Sequence, residues 1–349
     1  MTQNVQYSNN VDATLNSFIE GGNYNAVMVL VDTNTHELVL PLLPCLSNAY
    51  IIEIAPGDDN KNLETLTRVW REMEQCDATR HSLLVNLGGG TVTDLGGFAA
   101  STFKRGIDFI NVPTTLLGAV DAAVGGKTGI NFNGLKNEIG AFAQAKAVIV
   151  STIFFPTLPK QELKSGFAEM LKHAMLHSHK SFEQLLQFDF QNIDYDLLLS
   201  LLHESLKIKQ HIVEQDPTEQ GIRKALNLGH TVGHAFESKA LCDGKSVLHG
   251  YAVAWGLVVE SVLSHILLKS PSDDLYNLAN FVKENYGAFY ITCDHYDQLI
   301  DLMRHDKKSL NGEINCTLLK SCGDFTINNK INEDDIKAAL DIYRDIMGI

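Results

Sequence analysis

The stretch SLLVNLGGGTVTDLGGF, residues 82–98, joins an apolar run to three consecutive glycines and then to a helix-forming segment. Ser82 to Leu87 has the length and composition of a buried strand, and Thr91 to about Phe103 reads as a helix. The glycines let the backbone approach a phosphate closely. The first turn of the helix adds unpaired N–H groups at the positive end of its dipole. This reads as a pyrophosphate site at Gly89, Gly90 and Thr91. The spacing is not G-x-G-x-x-G, however, and a plain tight turn explains the same residues equally well.

Outward from this stretch the pattern repeats. Ala26 to Asp32 (AVMVLVD), Tyr50 to Ile54, Asp108 to Val112 and Ala147 to Val150 read as further strands. Leu63, Leu66, Val69, Trp70 and Met73 fall at helical spacing, which places a helix over 61–75. Strands alternating with helices point to a mostly parallel sheet covered on both faces. The texture changes after Pro156 and Pro159. Helical patterns follow at 159–178, 194–214, 223–240, 248–269, 272–286 and 332–347. One hairpin is expected from Ile314–Leu319 and Asp324–Ile327, turning around Cys322-Gly323. The fold class expected is therefore an α/β, Rossmann-like N-terminal domain over residues 1–158, followed by a mainly α-helical domain over 159–349.

The 349 residues carry 28 Lys+Arg against 42 Asp+Glu, a net charge of −14. That balance argues against nucleic acid and against an anionic membrane as partner. No uninterrupted apolar run reaches the roughly 18 residues of a span. The start, MTQNVQYSNN, lacks the basic and apolar regions of a signal peptide. Cys45, Cys76, Cys242, Cys293, Cys316 and Cys322 are scattered with no C-x-x-C. A reduced, cytoplasmic chain without a thiolate zinc site is expected.

Three segments carry chemistry. In SGFAEMLKH, Glu169 and Lys172 share a helical face at i and i+3. In NLGHTVGH, His230 and His234 do so at i and i+4, with Asn227 just before them. His249 follows in LHG. Two imidazoles and one carboxylate with an open position are a standard catalytic zinc set. Spacing alone pairs His230 with His234, and a surface histidine pair is the plain alternative. Glycines beside the histidines would let helices come close. In the α/β half, Thr114 and Thr115 sit at a strand end. The segment VGGKTGINFNGLKN, residues 124–137, is by itself a hairpin with solvated lysines.

Taken in order, GGGTVTDLGGFAASTFKRG, VPTTLLGAVDAAVGGKTGIN, LKNEIGAF, SGFAEMLKHAML, LNLGHTVGHAFE and LHGYAVAWG resemble the 3-dehydroquinate synthase family. The resemblance is close from about residue 85 to 260. A looser one extends to metal-dependent polyol dehydrogenases of the glycerol dehydrogenase type.

The resemblance implies NAD in an interdomain cleft and one divalent ion, Zn2+ or Co2+. The metal ligands it implies are Glu169, His230 and His249, with His234 turned to substrate instead. NAD would lie against Asp32, Asn34, Asp58, Lys61, Gly89, Gly90, Thr91, Asp94, Thr114, Thr115, Lys136, Phe154, Thr157, Leu158 and Glu162. Substrate groups would be Asp121, Lys127, Asn137, Lys172, Lys209, Arg223, Asn227, His234 and a lysine of Asp306-Lys307-Lys308, here assigned to Lys307. Arg105 would reach the neighbouring site of a homodimer. The implied reaction converts 3-deoxy-D-arabino-heptulosonate 7-phosphate to 3-dehydroquinate and phosphate, in the shikimate route to aromatic amino acids. It proceeds by transient oxidation by NAD, β-elimination of phosphate, re-reduction, ring opening and aldol closure. An acidic chain needs a local cluster of cations to hold such an anionic sugar phosphate. Another sugar-phosphate cyclase or a polyol dehydrogenase are the alternatives.

The chain departs from the family at three places. Tyr251 stands where a glutamate is usual after the histidine ligand, so support of the metal is expected to differ. Asp216-Pro217-Thr218-Glu219 replaces a D-E-R-E run, keeping the last carboxylate. Asp58-Asp59 shortens a usual pair of glutamates.

Overall fold

The computed structural model describes residues 3–305 and 313–349. They pack as two compact units, within Met1–Pro159 plus Asp194–Leu206, and within Lys160–Ile193 plus Lys207–Ile349. Residues 194–206 thus group with the first unit, although the sequence places them beyond residue 159.

In the first unit the order is β1 (Val5–Tyr7), α1 (Val11–Gly21), β2 (Val27–Asp32), α2 (Thr33–Leu38), β3 (Tyr50–Ile54), α3 (Leu63–Gln75), β4 (Leu83–Gly88), α4 (Gly90–Thr102), β5 (Asp108–Pro113), β6 (Lys127–Phe132), β7 (Leu135–Phe142) and β8 (Ala147–Val150). Six strands form one sheet, ordered β1-β8-β5-β4-β2-β3, with every pairing parallel. Strands inside the sheet run to near-complete burial, with all six residues of β4 and all four of β8 buried, whereas the edge strands β1 and β3 are partly exposed. Strands covered on both faces read as continuous apolar runs, which is why AVMVLVD and SLLVNL were visible. On one face, Val29, Val31, Val85, Leu87, Ile110 and Ile149 pack with Val11, Leu15 and Phe154. On the other, α4 lies close to the sheet because Gly96 has no side chain. A Cβ there would stand 1.9 Å from Asn86 Oδ1.

The winding reverses at β2, which pairs with β3 on one side and β4 on the other. Open α/β sheets bind ligands outside the carboxyl ends of the strands at such a point. Here those ends are Asp32 and Gly88. The separate β6–β7 pair is an antiparallel hairpin.

The second unit holds α5 (Lys160–His177), α6 (His179–Leu186), most of the C-terminal part of α7 (Tyr195–Gln215), α8 (His230–Cys242), α9 (His249–Leu268), α10 (Ser272–Tyr286), α11 (Tyr296–Arg304), the antiparallel pair β9 (Ile314–Ser321) and β10 (Asp324–Ile331), and α12 (Glu333–Met347). The expected helix over 223–240 is broken. A 3-10 segment covers Ile222–Asn227, and α8 starts only at His230, after Gly229 at φ +79°. Gly229 supplies the left-handed conformation that other residues resist. The buried Glu260 side chain then accepts from the N–H groups of Gly229 (2.6 Å) and Val232 (3.2 Å), capping α8 from a distant helix.

α9 is the one described helix long and apolar enough to cross a membrane by length and composition. It is instead the packing centre of this unit, with every residue from Ala252 to Ser264 buried. It approaches its neighbours backbone to backbone. A Cβ on Gly250 would stand 1.9 Å from the Ser165 carbonyl oxygen of α5, and one on Gly256 would stand 2.0 Å from that of Gly229.

Candidate functional site

These close approaches bring three distant side chains of the second unit together. Glu169, in the middle of α5, is fully buried. Its Oε2 pairs with Lys172 one turn on. Its Oε1 is buried with no hydrogen bond, and lies 3.3 Å from Nε2 of His230 and 3.5 Å from Nε2 of His249. The three ligand atoms all lie within 4.8 Å of one another. Ligands bound to a tetrahedral ion at about 2.1 Å stand roughly 3.4 Å apart, so these separations suit a common metal.

The opposite edges of both rings are held. Nδ1 of His230 donates to the Leu228 carbonyl oxygen (3.1 Å), and Nδ1 of His249 donates to Glu237 (3.4 Å). With Nδ1 committed as donor, the neutral ring presents its electron pair at Nε2, toward Glu169. Metal-binding histidines are oriented in this way. The donor set and the unpartnered buried oxygen therefore fit a divalent ion.

Without an ion, the charges of this cluster compensate one another, and a bound cation would displace the proton held by His249. Burial would raise the pKa of Glu169, but Lys172 and His230 hold it well below the usual carboxylate range. Burial would lower that of His249, but Glu169 and Glu237 outweigh it and raise it to about 9. His234 stands beside both histidines, its ring centroid 5.4 Å from that of His230 and 5.9 Å from that of His249. His234, Glu237 and His249 make a second set with ligand atoms within 4.8 Å. In that arrangement His249 would turn Nδ1 to the ion and lose its orienting carboxylate.

The other expected residues of this unit have their own partners. Lys172, Lys209 and Arg223 are each no more than 3 % exposed. Arg223 donates to the Pro217 carbonyl oxygen (2.7 Å), and Asn227 donates to Glu219 Oε1 (3.2 Å). The loop that replaces the usual D-E-R-E run is organised by Asp216, whose carboxylate accepts the N–H groups of Gln220, Gly221 and Arg223. Tyr251 packs edge-on against Trp255 and Tyr286. Glu162 lies in the first turn of α5, its pKa raised by burial. Lys307, with Lys308 beside it, lies outside the described residues.

In the first unit, β4 passes through Gly89 straight into α4, whose start has no side-chain cap. A Cβ on Gly89 would meet Thr115 Cγ2 at 3.1 Å. Thr115 Oγ1 accepts the N–H of Gly118 (3.0 Å), and the Thr114 hydroxyl is buried with no hydrogen bond. Uncapped N–H groups, tight glycines and a buried hydroxyl suit phosphate oxygens. Gly89, Gly90, Thr91, Thr114 and Thr115 thus share one end of the sheet.

Lys61 organises a second cluster. It is 5 % exposed, and its Nζ lies 3.0 Å from Asp94 Oδ2, 3.1 Å from Asp58 Oδ1 and 2.7 Å from Asn137 Oδ1. Lys136 pairs with the other oxygen of Asp58 at 3.6 Å. Burial raises Asp94 to about 6 despite Lys61; burial would also raise Asp58, but Lys61 and Lys136 lower it. The hairpin read as solvated lysines therefore delivers Lys136 and Asn137 to a structured cluster. Asn131, which no sequence motif singles out, ties it together by donating to Asp58 and accepting the N–H of Asn137.

Several expected residues have structural duties. Asp32 caps α2, accepting from the N–H of Thr35 (2.8 Å), and Asn34 is in that helix. Phe154 is fully buried in the core, and its carbonyl oxygen accepts from the Thr157 hydroxyl (2.7 Å), with Leu158 next. Asp121 lies in the π-helical turn Gly118–Ala122, and Lys127 is exposed at the start of β6. Arg105 is exposed after α4, at φ +70°.

Comparison with known proteins agrees with this architecture. Family models described as 3-dehydroquinate synthase N-terminal and C-terminal match residues 51–165 and 166–309. A 3-dehydroquinate synthase of Parabacteroides distasonis is 46 % identical over 350 residues, covering 99 % of each chain. Two solved structures share the fold at low identity. One is ValA (2-epi-5-epi-valiolone synthase) from Streptomyces hygroscopicus subsp. jinggangensis with NAD+ and Zn2+ bound, at TM-score 0.85 and 23 % identity, covering 99 % of this chain and 97 % of that one. The other is 2-deoxy-scyllo-inosose synthase complexed with carbaglucose-6-phosphate, NAD+ and Co2+, at TM-score 0.84 and 22 % identity, covering 96 % and 95 %. From two family models spanning residues 51–309 and a full-length relative at 46 % identity, the chain belongs to the 3-dehydroquinate synthase family.

Proposed function

We propose that the chain carries out the reaction of its family, converting 3-deoxy-D-arabino-heptulosonate 7-phosphate to 3-dehydroquinate and phosphate. The observation that carries this reading is the convergence of Glu169 Oε1 with Nε2 of His230 and of His249. These three would hold a divalent ion, Zn2+ or Co2+. The turn at Gly89–Thr91, with Thr114 and Thr115, would hold the phosphates of NAD, and Asp94 with Lys61 would border them. When bound, the ion supplies Lewis acidity toward hydroxyl oxygens, and NAD supplies a hydride acceptor that is restored within each turnover.

The chain's own residues bind and orient. Lys172, Lys209 and Arg223 supply positive charge in a setting where water screens little, suited to the carboxylate and phosphate of the substrate. Lys172 also keeps Glu169 ionised. Asn227, positioned by Glu219, offers directional hydrogen bonds to hydroxyl groups. His234 is the imidazole in place to move a proton at its ring nitrogen, since it is not among the three convergent groups. Asn137, Asp121 and Lys127 would serve the substrate, as the family resemblance implies. Arg105 supplies a further cation across a homodimer, and the enzyme works in the cytoplasm.

The test is release of inorganic phosphate from the heptulosonate phosphate with NAD and Zn2+ present. Release that stops with a chelator and returns with Zn2+, without NADH accumulating at steady state, is expected. No release with metal and NAD present would overturn the reading. Accumulating NADH without phosphate would indicate a polyol dehydrogenase.

A further inference from the structure

A second cluster of metal-ligating side chains lies in the second unit, built from residues with no part in the site above. His179 opens α6, Asp274 lies in the first turn of α10, and Cys322 sits in the turn between β9 and β10. His179 Nδ1 is 3.0 Å from Asp274 Oδ1, and Cys322 Sγ is 3.6 Å from Asp274 Oδ2. One ligand atom from each lies within 4.8 Å of the others. We propose that His179, Asp274 and Cys322 form a second site for a thiophilic divalent ion such as Zn2+ or Co2+.

Three observations support the assignment. First, one ligand atom from each residue lies within 4.8 Å of the others, near enough to converge on one ion with small side-chain shifts, although His179 and Cys322 contact different oxygens of Asp274. Nitrogen, oxygen and sulfur at about 2.0–2.3 Å from one centre stand roughly 3.3–3.6 Å apart. Second, the imidazole is backed as a ligand should be. Its far nitrogen, Nε2, lies 3.2 Å from Glu183 Oε1, one turn further along α6. Donation from Nε2–H to that carboxylate leaves Nδ1 with the electron pair, facing Asp274 and Cys322. Third, the turn bearing Cys322 is pinned where it is. The Gly323 N–H donates to the Met175 carbonyl oxygen (2.9 Å). A Cβ on Gly323, which sits at φ +88°, would stand 2.7 Å from the His177 carbonyl oxygen. Glycine at this position therefore seats the thiol beside the α5–α6 junction.

The donor types choose the ion. A thiolate with an imidazole favours Zn2+ or Co2+ over Mg2+ or Ca2+, which prefer all-oxygen sets. Burial, followed by Asp274, raises the Cys322 thiol to about 12. Binding therefore releases the thiol proton to solvent, and the ion takes over the contact that the thiol makes with Asp274. Among protein ligands the site offers three, which leaves a position for water.

The two sites differ in sulfur, and this makes them separable. The full-length protein is stripped of metal and titrated with Co2+, recording the near-ultraviolet sulfur-to-cobalt charge-transfer band as a difference spectrum, together with bound cobalt. The wild type is expected to bind two equivalents and to develop the band. Cys322→Ser should lose the band and one equivalent, with phosphate release unchanged. His230→Ala should lose one equivalent and keep the band. His179→Ala, at an exposed residue, should weaken the band's titration and serves if Cys322→Ser fails to fold. No band in the wild type, or a band that survives in both Cys322→Ser and His179→Ala, would overturn the proposal. Failure of the first site shows separately, as loss of the equivalent that depends on His230.

Discussion

Replacing Glu237 by Gln removes one negative charge from behind His249 with little change in side-chain volume. Glu237 Oε2 lies 3.4 Å from His249 Nδ1, and the two side chains are 17 % and 28 % exposed. Together with Glu169 it outweighs burial and raises His249 to about 9. A carboxylate there fixes the ring and makes Nε2 a better electron-pair donor. Loss of such a partner weakens metal binding by about 10- to 100-fold, or about 1.4–2.7 kcal/mol. Gln keeps an acceptor oxygen, which sets Glu237→Gln near tenfold, whereas Glu237→Ala should approach a hundredfold. The assay is Zn2+ titration of metal-free protein against a competing chelator, followed by kcat at saturating Zn2+. Because Glu237 acts through His249, kcat should stay close to wild type once the metal is restored. Unchanged affinity in both variants would refute the role, as would a kcat loss that saturating Zn2+ does not repair.

Three further outcomes follow from the packing and charge of the two units. Glu260→Ala leaves two buried N–H groups at the start of α8 without an acceptor. At roughly 1–3 kcal/mol each it should destabilise the protein by about 2–6 kcal/mol in denaturant unfolding, and weaken Zn2+ binding through His230. Gly250→Ala forces α9 from α5, since its Cβ would lie 1.9 Å from the Ser165 carbonyl oxygen. A cost of about 1–3 kcal/mol and weaker Zn2+ binding are expected, and a neutral effect on both would contradict the close-approach argument. Asp94 is raised from 3.8 to about 6, with burial outweighing Lys61. Its contribution to stability is thus present below pH 3.8 and lost as pH rises through about 6, a change of about 3 kcal/mol. Asp94→Asn should remove that component, so the wild type should lose stability relative to the variant between about pH 4 and pH 7. A pH-independent difference would show that Asp94 does not titrate in this range.

What the sequence made legible follows from the range over which each interaction acts. The central strands could be read because burial on both faces leaves uninterrupted apolar runs, and the helices 272–286 and 332–347 because a single face is apolar. The three residues of β1 carry too little pattern to be read, and α1 was passed over. The break before α8 was missed because its cause lies thirty residues on, in the Glu260 carboxyl. Spacing pairs His230 with His234, whereas Nε2 of His230 faces Glu169, from a helix some sixty residues earlier; only the family resemblance pointed there. Glu237 stands in HAFE, three residues from a histidine, but its partner His249 is on the next helix. Absence of C-x-x-C argued against a thiolate metal site. That rule sees only cysteines close in sequence, not one cysteine joined by a histidine and an aspartate from separate elements.

Anomalous diffraction at the zinc edge, from crystals of the Zn2+-loaded protein, locates the ion among its ligands. An ion is expected about 2.0–2.2 Å from a Glu169 oxygen, from Nε2 of His230 and from Nε2 of His249. An ion in this region bound instead by His234 and Glu237, or no peak within bonding distance of Glu169, would contradict this ligand set.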